Sequence, residues 1–287
     1  MNVKHILNLG AGVQSTTLYL MSMNGLVQRF DVAIFADTGE EPQAVYKHLE
    51  WLQSLNGPPI LIRTKGKLGD DLIGGRNGNG ANFASIPSFI LNTPGSKVQG
   101  DVGRSRRQCS REYKIEVIDR TIRREILGLK PRRRIPKDVH LYQYFGISLD
   151  EKSRASRIWE RFHISKESIA EPHFPLIDML MTRANCLDWL ETRVPHRVPK
   201  SACTFCPFRD DAGWQELKEA GGNDWNRIVQ IDHAIRAPGA ITCGDLNGTL
   251  FLHRSCKPID EVDFRPHINP KELQLGFGVE CEGVCGV

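Results

Sequence analysis

Cys203 and Cys206, separated by two residues, stand in the run Cys203-Thr204-Phe205-Cys206-Pro207. That spacing lets two thiolates reach one metal ion or close into a redox pair. A third cysteine, Cys109, lies in Arg106-Arg107-Gln108-Cys109-Ser110-Arg111-Glu112-Tyr113-Lys114-Ile115, where a basic helix should begin. A helix N-terminus and neighbouring cations both favour thiolate over thiol, and thiolates select soft metals. The cations Arg106, Arg107, Arg111 and Lys114 form a candidate anion-binding face beside Cys109, with Arg107 and Lys114 as nucleotide contacts. Eight cysteines are present, at 109, 186, 203, 206, 243, 256, 281 and 285. The N-terminal run has only Lys4 ahead of a short apolar stretch broken by Asn8 and Gly10, which reads as a strand and not as a secretory signal. Metal ligation or thiol chemistry is therefore expected of the clustered cysteines, not a disulfide framework.

A second constellation suits phosphate. Leu9-Gly10-Ala11-Gly12-Val13-Gln14-Ser15-Thr16-Thr17 falls between an expected strand and an expected helix. Glycines let the backbone approach a ligand, the helix N-terminus offers free N–H groups and a positive dipole end, and hydroxyls add donors. The run lacks the Gly-Lys-Ser/Thr ending of a Walker A loop and the third glycine of a dinucleotide fingerprint. A purely structural turn is the competing reading. The next strand should end in Asp37-Thr38-Gly39-Glu40-Glu41-Pro42. Open α/β sheets bind ligands at the C-terminal ends of their strands, so Asp37, Thr38 and Gly39 are binding candidates, with helix capping as the alternative for Asp37 or Thr38. In Gly146-Ile147-Ser148-Leu149-Asp150-Glu151, Ser148 or Asp150 is placed to cap a helix, with Arg154 and Arg157 as phosphate contacts.

The first loop resembles the PP-loop of the N-type ATP pyrophosphatases, Ser-Gly-Gly-x-Asp-Ser-Thr. Gly12, Ser15 and Thr16 match it, Gln14 stands in place of Asp and Ala11 in place of Gly. The Asp37-Thr38-Gly39 stretch resembles the phosphoadenylyl-sulfate reductase branch of that superfamily. The cysteines resemble the iron–sulfur type of adenylyl-sulfate reductase, in which a Cys-Cys pair precedes a CxxC by some eighty to a hundred residues. Here Cys109 precedes Cys203 by 94 positions, and Gln108 replaces the other member of the pair. The resemblance implies a [4Fe–4S] cluster on Cys109, Cys203 and Cys206, with a fourth ligand from Cys285, Cys281, Cys186 or elsewhere. Zinc is the alternative, since spacing does not separate the two metals. Glu280-Cys281 resembles the Glu-Cys-Gly end of those reductases and implies a catalytic Cys281, although Glu282 intervenes before Gly283. Implied ligands are ATP or an adenylyl sulfate, with Mg²⁺ as a further candidate. The implied activity is adenylyl-sulfate reduction, with a sulfur- or electron-donor protein as partner. Two alternatives stand beside it. One is an ATP-dependent sulfurtransferase acting on tRNA or DNA. The other is a nucleotide sensor with a structural metal, since Gln14 supplies no carboxylate for Mg²⁺.

The elements that must hold these residues alternate strand and helix. His5–Leu9, Val32–Ala36 and Ile60–Arg63 read as strands. Ser15–Leu26 and Pro42–Leu55 read as helices, the latter with Val45, Leu49 and Leu52 on one side. Residues 66–82 read as a mobile loop. Ser110–Leu127 is an expected helix with Ile115, Ile118, Ile122 and Ile126 along one stripe, Val139–Ile147 a strand, and 150–159, 182–192, 214–220 and 225–237 further helices. A short strand is expected at Thr249–Leu252. The order predicts an α/β doubly wound, mostly parallel sheet of the adenine-nucleotide α-hydrolase-like kind. The nucleotide-binding domain is read as 1–180, with a cysteine-bearing helical and irregular region, 181–287, packed on it.

The 287 residues are 40% hydrophobic and 25% charged, ordinary globular values. No apolar run approaches the roughly 20 residues of a membrane helix, so a cytoplasmic protein without membrane contact is expected. Residues 104–137 hold 13 basic and four acidic side chains, so this segment carries +9 while the chain's total is only +4. Such a patch suits a phosphate-bearing partner, a nucleotide or a nucleic acid.

Overall fold

Strand β1 (Asn2–Asn8) is the middle strand of a five-stranded sheet, with β2 (Val32–Asp37) and β3 (Ile60–Thr64) on one side and β6 (Val139–Phe145) and β7 (Ala170–His173) on the other. All four pairings are parallel. The computed structural model describes residues 2–74, 86–92, 100–136, 138–164, 170–237 and 248–264. The predicted Cys281 and Cys285 sites, and Cys243, lie outside the described residues. Among the described residues no helix is long and apolar enough to cross a membrane.

β2 is apolar up to its last residue because both its faces are covered, whereas β1 and β6 admit Lys4, His5, His140 and Gln143. Alternate residues still go to opposite sides. Ile6, Val32, Ile34 and Leu141 pack with Ile118, Ile122 and Ile126 of the long helix α4 (Arg111–Ile126). Leu7, Ala33, Phe35 and Tyr144 pack on the opposite side, with residues of α1 (Val13–Met23), α2 (Gln43–Ser54) and α7 (Arg183–Glu191). Phe145 and Ile147 meet Ala155, Ile158 and Phe162 of α5 (Lys152–Ile164). Thr182 caps α7 by accepting from Asn185 N.

A second sheet was not foreseen. β4 (Phe89–Leu91) pairs antiparallel with β5 (Val102–Arg104) and with β8 (Thr249–Phe251), so chain on both sides of residue 180 builds it. Its core joins Ile86, Ile90 and Tyr113 to Phe205, Trp214, Ile228 and Leu250, drawing on α8 (Asp211–Ala220) and α9 (Gly222–Ala234). Buried Asp232 pins this region: its carboxylate accepts from Leu252 N at 3.1 Å and Ile259 N at 2.8 Å.

Three further details differ from expectation. Residues 66–82 are not all loop: Leu68–Gly74 form α3, whose Leu68 and Leu72 enter the second core. A short helix, α6 (Pro175–Asp178), follows β7. Trp159, an apolar residue expected inside, is half exposed and stacks on His163 one turn away.

Candidate functional site

The strand order reverses between β1 and β6, and open α/β sheets bind ligands outside the carboxyl ends of the strands at such a point. The first loop lies there. Ala11 adopts φ +60°, the left-handed conformation that favours glycine. Gly12 is extended at the N-cap of α1 and has no side chain to cap the first-turn amides. Ser15 Oγ accepts from Gly12 N at 3.3 Å. Gly146, after β6, packs so closely that a Cβ there would stand 2.6 Å from Ser15 N. Gln14 Nε2 donates to Ser148 Oγ at 3.3 Å and to Glu151 Oε2 at 3.0 Å, while its buried Oε1 meets no partner among the described residues. Asp150, a candidate cap of its own helix, accepts from Arg183 N at the start of α7 instead.

The end of β2 is the second corner. Asp37 Oδ1 accepts from Gly39 N at 2.8 Å and Tyr46 Oη at 2.9 Å, so Asp37 builds the turn. Gly39 holds φ +71°, and a Cβ there would meet Lys67 Cγ at 2.9 Å. Thr38 Oγ1 lies 3.2 Å from Cys203 Sγ and 3.4 Å from Glu41 Oε1. Glu41 pairs with Lys114 Nζ at 3.4 Å, both side chains buried.

The CxxC loop joins these corners. Ser201 Oγ donates to Gly10 O, and Thr204 N donates to Glu40 O at 2.8 Å. The loop closes on itself through Cys206 N to Cys203 O at 3.1 Å, and Arg209 Nη2 donates to the same carbonyl at 3.2 Å. Cys109 arrives just ahead of α4, whose first turn, Arg111–Ile115, is a π-helix. Such turns recur at functional sites. In this one Tyr113 and Lys114 are both buried. Cys206 is close enough to act electrostatically on both Cys109 and Cys203, and Lys114 senses all three thiols. Arg107 faces Cys109 and Cys206, and Arg209 faces Cys206 and Cys203. Cys186 is packed in the first core, whereas Cys109 and Cys203 border the second.

Burial decides the ionisation of these thiols. It pushes Cys109 up, helped by Cys206, and Arg107 and Lys114 only partly offset it. The expected thiolate bias of Cys109 is thus reversed, because desolvation outweighs the nearby cations. Burial and then Glu41 push Cys203 well up. Burial would lower Lys114, but Glu41 and then the three cysteines carry it upward. In kind, three soft donors ringed by Arg107, Lys114 and Arg209 fit a thiolate-bound metal, whose negative charge those cations would balance. Cys109, Cys203 and Cys206 are the donors available for it, and they would have to draw closer together than they stand here. Among the described residues no group of three His, Cys, Asp or Glu side chains is arranged so that it could hold a metal ion.

The predicted anion face is divided. Arg107 and Lys114 turn to the cysteines, while Arg106 is exposed and Arg111, 81% exposed, approaches Glu116 at 3.5 Å. Arg104 lies over the rings of Phe89 and Phe208 at 5.0 and 5.3 Å, and Arg107 over Phe208 at 5.3 Å. Arg154 and Arg157 stand near Arg107. The sequence reading missed Glu41, Ser201 and Arg209. Glu41 stands inside the Asp37–Pro42 run, and Ser201 and Arg209 lie two and three residues from the CxxC, so nearness to a motif was the available signal. It also missed buried His48, which binds Thr16 Oγ1 at 2.9 Å and which nothing local marks. The chain matches no protein-family model, no curated protein and no solved structure.

Proposed function

We propose that the chain is an adenine-nucleotide-binding enzyme of sulfur chemistry that reduces adenylyl sulfate or its 3′-phosphorylated form. The observation that carries this reading is the CxxC loop, hydrogen-bonded at once to Gly10 of the phosphate loop and to Thr38 and Glu40 after β2. Phosphate bound by the α1 amides would lie beside the thiols. First-turn N–H groups of α1 and the Arg107 guanidinium hold the charge that develops on the leaving phosphate. In this reading Cys281 thiolate attacks the sulfonate sulfur. An S–S bond forms, the S–O bond to the nucleotide breaks, and the nucleotide phosphate leaves with the electron pair. A dithiol donor protein then reduces the S-sulfocysteine, releasing sulfite and becoming a disulfide. A [4Fe–4S] cluster on Cys109, Cys203 and Cys206, when bound, supplies soft iron beside the sulfur step.

One observation favours a second reading, sulfur transfer to a nucleic acid. The alternation Phe89–Arg104–Phe208–Arg107 runs from an exposed guanidinium to the cysteines. Arginine planes and aromatic rings are the surfaces on which unpaired bases stack. Here the acceptor oxygen attacks ATP, pyrophosphate leaves, and a sulfur nucleophile then displaces AMP.

The deciding experiment is anaerobic purification with iron, sulfide and zinc analysis, then mixing with ATP and with each adenylyl sulfate. Sulfite release in the presence of a dithiol donor is the expected result. AMP and pyrophosphate from ATP would transfer the weight to the second reading. Tight nucleotide binding with no turnover and stoichiometric zinc would leave a sensor with a structural metal.

A further inference from the structure

Behind the phosphate loop a hydrogen-bonded chain runs from α1 to the surface. Thr16 Oγ1 lies 2.9 Å from His48 Nε2, and His48 Nδ1 lies 2.8 Å from His196 Nε2. Thr16 and His48 are fully buried, whereas His196 is exposed. Trp51 packs against both imidazoles, with ring centroids 5.4 Å from His48 and 5.3 Å from His196. Both nitrogens of His48 are engaged, yet a neutral imidazole has a single N–H. It must therefore donate at one end and accept at the other, and the direction of the whole chain is set by its outer member.

We propose that His48 and His196 are positioning residues for the phosphate loop: protonation of His196 turns the chain so that its N–H groups point inward, and this raises the loop's affinity for a phosphate group. With His196 protonated, its Nε2–H donates to His48 Nδ1. His48 Nε2–H then donates to Thr16 Oγ1, and the Thr16 hydroxyl proton is released from the histidine toward the loop. With His196 neutral and its Nε2 bare, His48 Nδ1–H donates outward and His48 Nε2 takes the Thr16 proton. The inward arrangement places added positive potential one turn inside the N-terminus of α1, where an anion is stabilised. Burial and the neighbouring His196 lower His48 to about 4, so His48 itself stays neutral at either pH of the test below. The charged groups around His196 are Asp188 and Glu191 of α7 and Arg197 beside it, which share its surface cleft of about 440 Å³, and Arg197 is held by Glu216 at 2.7 Å. Toward His196, α2 presents His48 and Trp51, and α1 carries no charged residue.

The effect on affinity rests on the reading that residues 10–16 bind phosphate, whereas the tautomer response does not. The test therefore has two readouts on the full chain. Imidazole nitrogen shifts in the ligand-free protein, near pH 5.5 and near pH 8, report the tautomer of His48. The proton is expected to move from Nδ1 to Nε2 as the pH falls. Calorimetric titration with ATP should show about fivefold tighter binding at the lower pH in the wild type than in His196→Gln, a modest allosteric coupling. ATP's own titration is common to both proteins and cancels in the comparison. Thr16→Val should also abolish the difference. A His48 tautomer that ignores pH overturns the proposal, and so does a tautomer shift with an identical pH profile in His196→Gln. Absence of ATP binding at either pH sinks the phosphate-loop reading alone, and the tautomer measurement still decides the relay.

Discussion

Gly146 has no room for even a methyl group, because a Cβ would press on the backbone of Ser15 and not on a flexible side chain. Gly146→Ala is therefore expected to cost about 1–3 kcal/mol, the usual range for overpacking. It should also weaken ATP binding by separating the β1 and β6 loops. Denaturant unfolding and calorimetry on the same variant check both, and unchanged values would show that the loops are not in register. Lys114 poses a different question, since it was read as a nucleotide contact yet faces Glu41 in a buried pair. Removing one partner leaves the other charge unpaired, so Lys114→Met should cost about 3 kcal/mol. The double variant Glu41→Gln/Lys114→Met should recover much of that loss. If the single variant folds with wild-type stability and only loses nucleotide affinity, Lys114 is a ligand contact after all. At this scale the motifs were legible and their partners were not. Asp37 was found by its place after a strand, but its role as turn builder depends on Tyr46 and on Gly39, whose φ no motif encodes.

Between elements, the contact of α1 with α2 passes through His48, and that gives the protein an acid weakness. In the unfolded chain an imidazole titrates at the ordinary 6.5, and in the fold His48 is lowered to about 4. Between those values the unfolded state binds the proton and the folded state does not. The stabilising contribution is thus fully present above pH 6.5 and is lost as the pH falls toward 4, to a total of about 3 kcal/mol. Burial lowers His253 in the same direction, so its contribution has the same sign. Denaturant midpoints near pH 7.5 and near pH 4.5 should show His48→Asn losing less on acidification than the wild type. Equal losses would mean that His48 is solvated in solution. The long elements were readable because periodicity accumulates over ten or more residues, as in Val45, Leu49 and Leu52 of α2 or Ile118, Ile122 and Ile126 of α4. The π-turn at Arg111–Ile115 was not, since one extra residue per turn leaves the apolar stripe almost intact. Strands of three residues such as β4 and β5 carry too little alternation to see, whereas β8 falls inside the strand expected at Thr249–Leu252. The pairing of β4 with β8, Ile90 with Leu250, spans a sequence distance that no local pattern reports.

For the molecule as a whole, the sheet and the thiol centre rest on separate cores. The first supports the strand ends and the loop of residues 9–13, and the second seats Cys109 and Cys203. Trp214 is the largest fully buried side chain and belongs to the second. Trp214→Ala should cost about 3–5 kcal/mol and lower the metal content of anaerobically prepared protein more than its ATP affinity. Equal loss of both would show that the two cores melt as one. The order of the chain adds a consequence in time. By His173 every strand of the parallel sheet has been synthesised, but the second core still lacks Phe205, Trp214, Leu250 and Phe264. At about 5–20 residues per second the ribosome needs roughly 5–20 s to supply that stretch. Throughout that interval the nascent chain displays Cys109 without the residues that bury it, so its thiol is open to oxidants until elongation has passed Phe264.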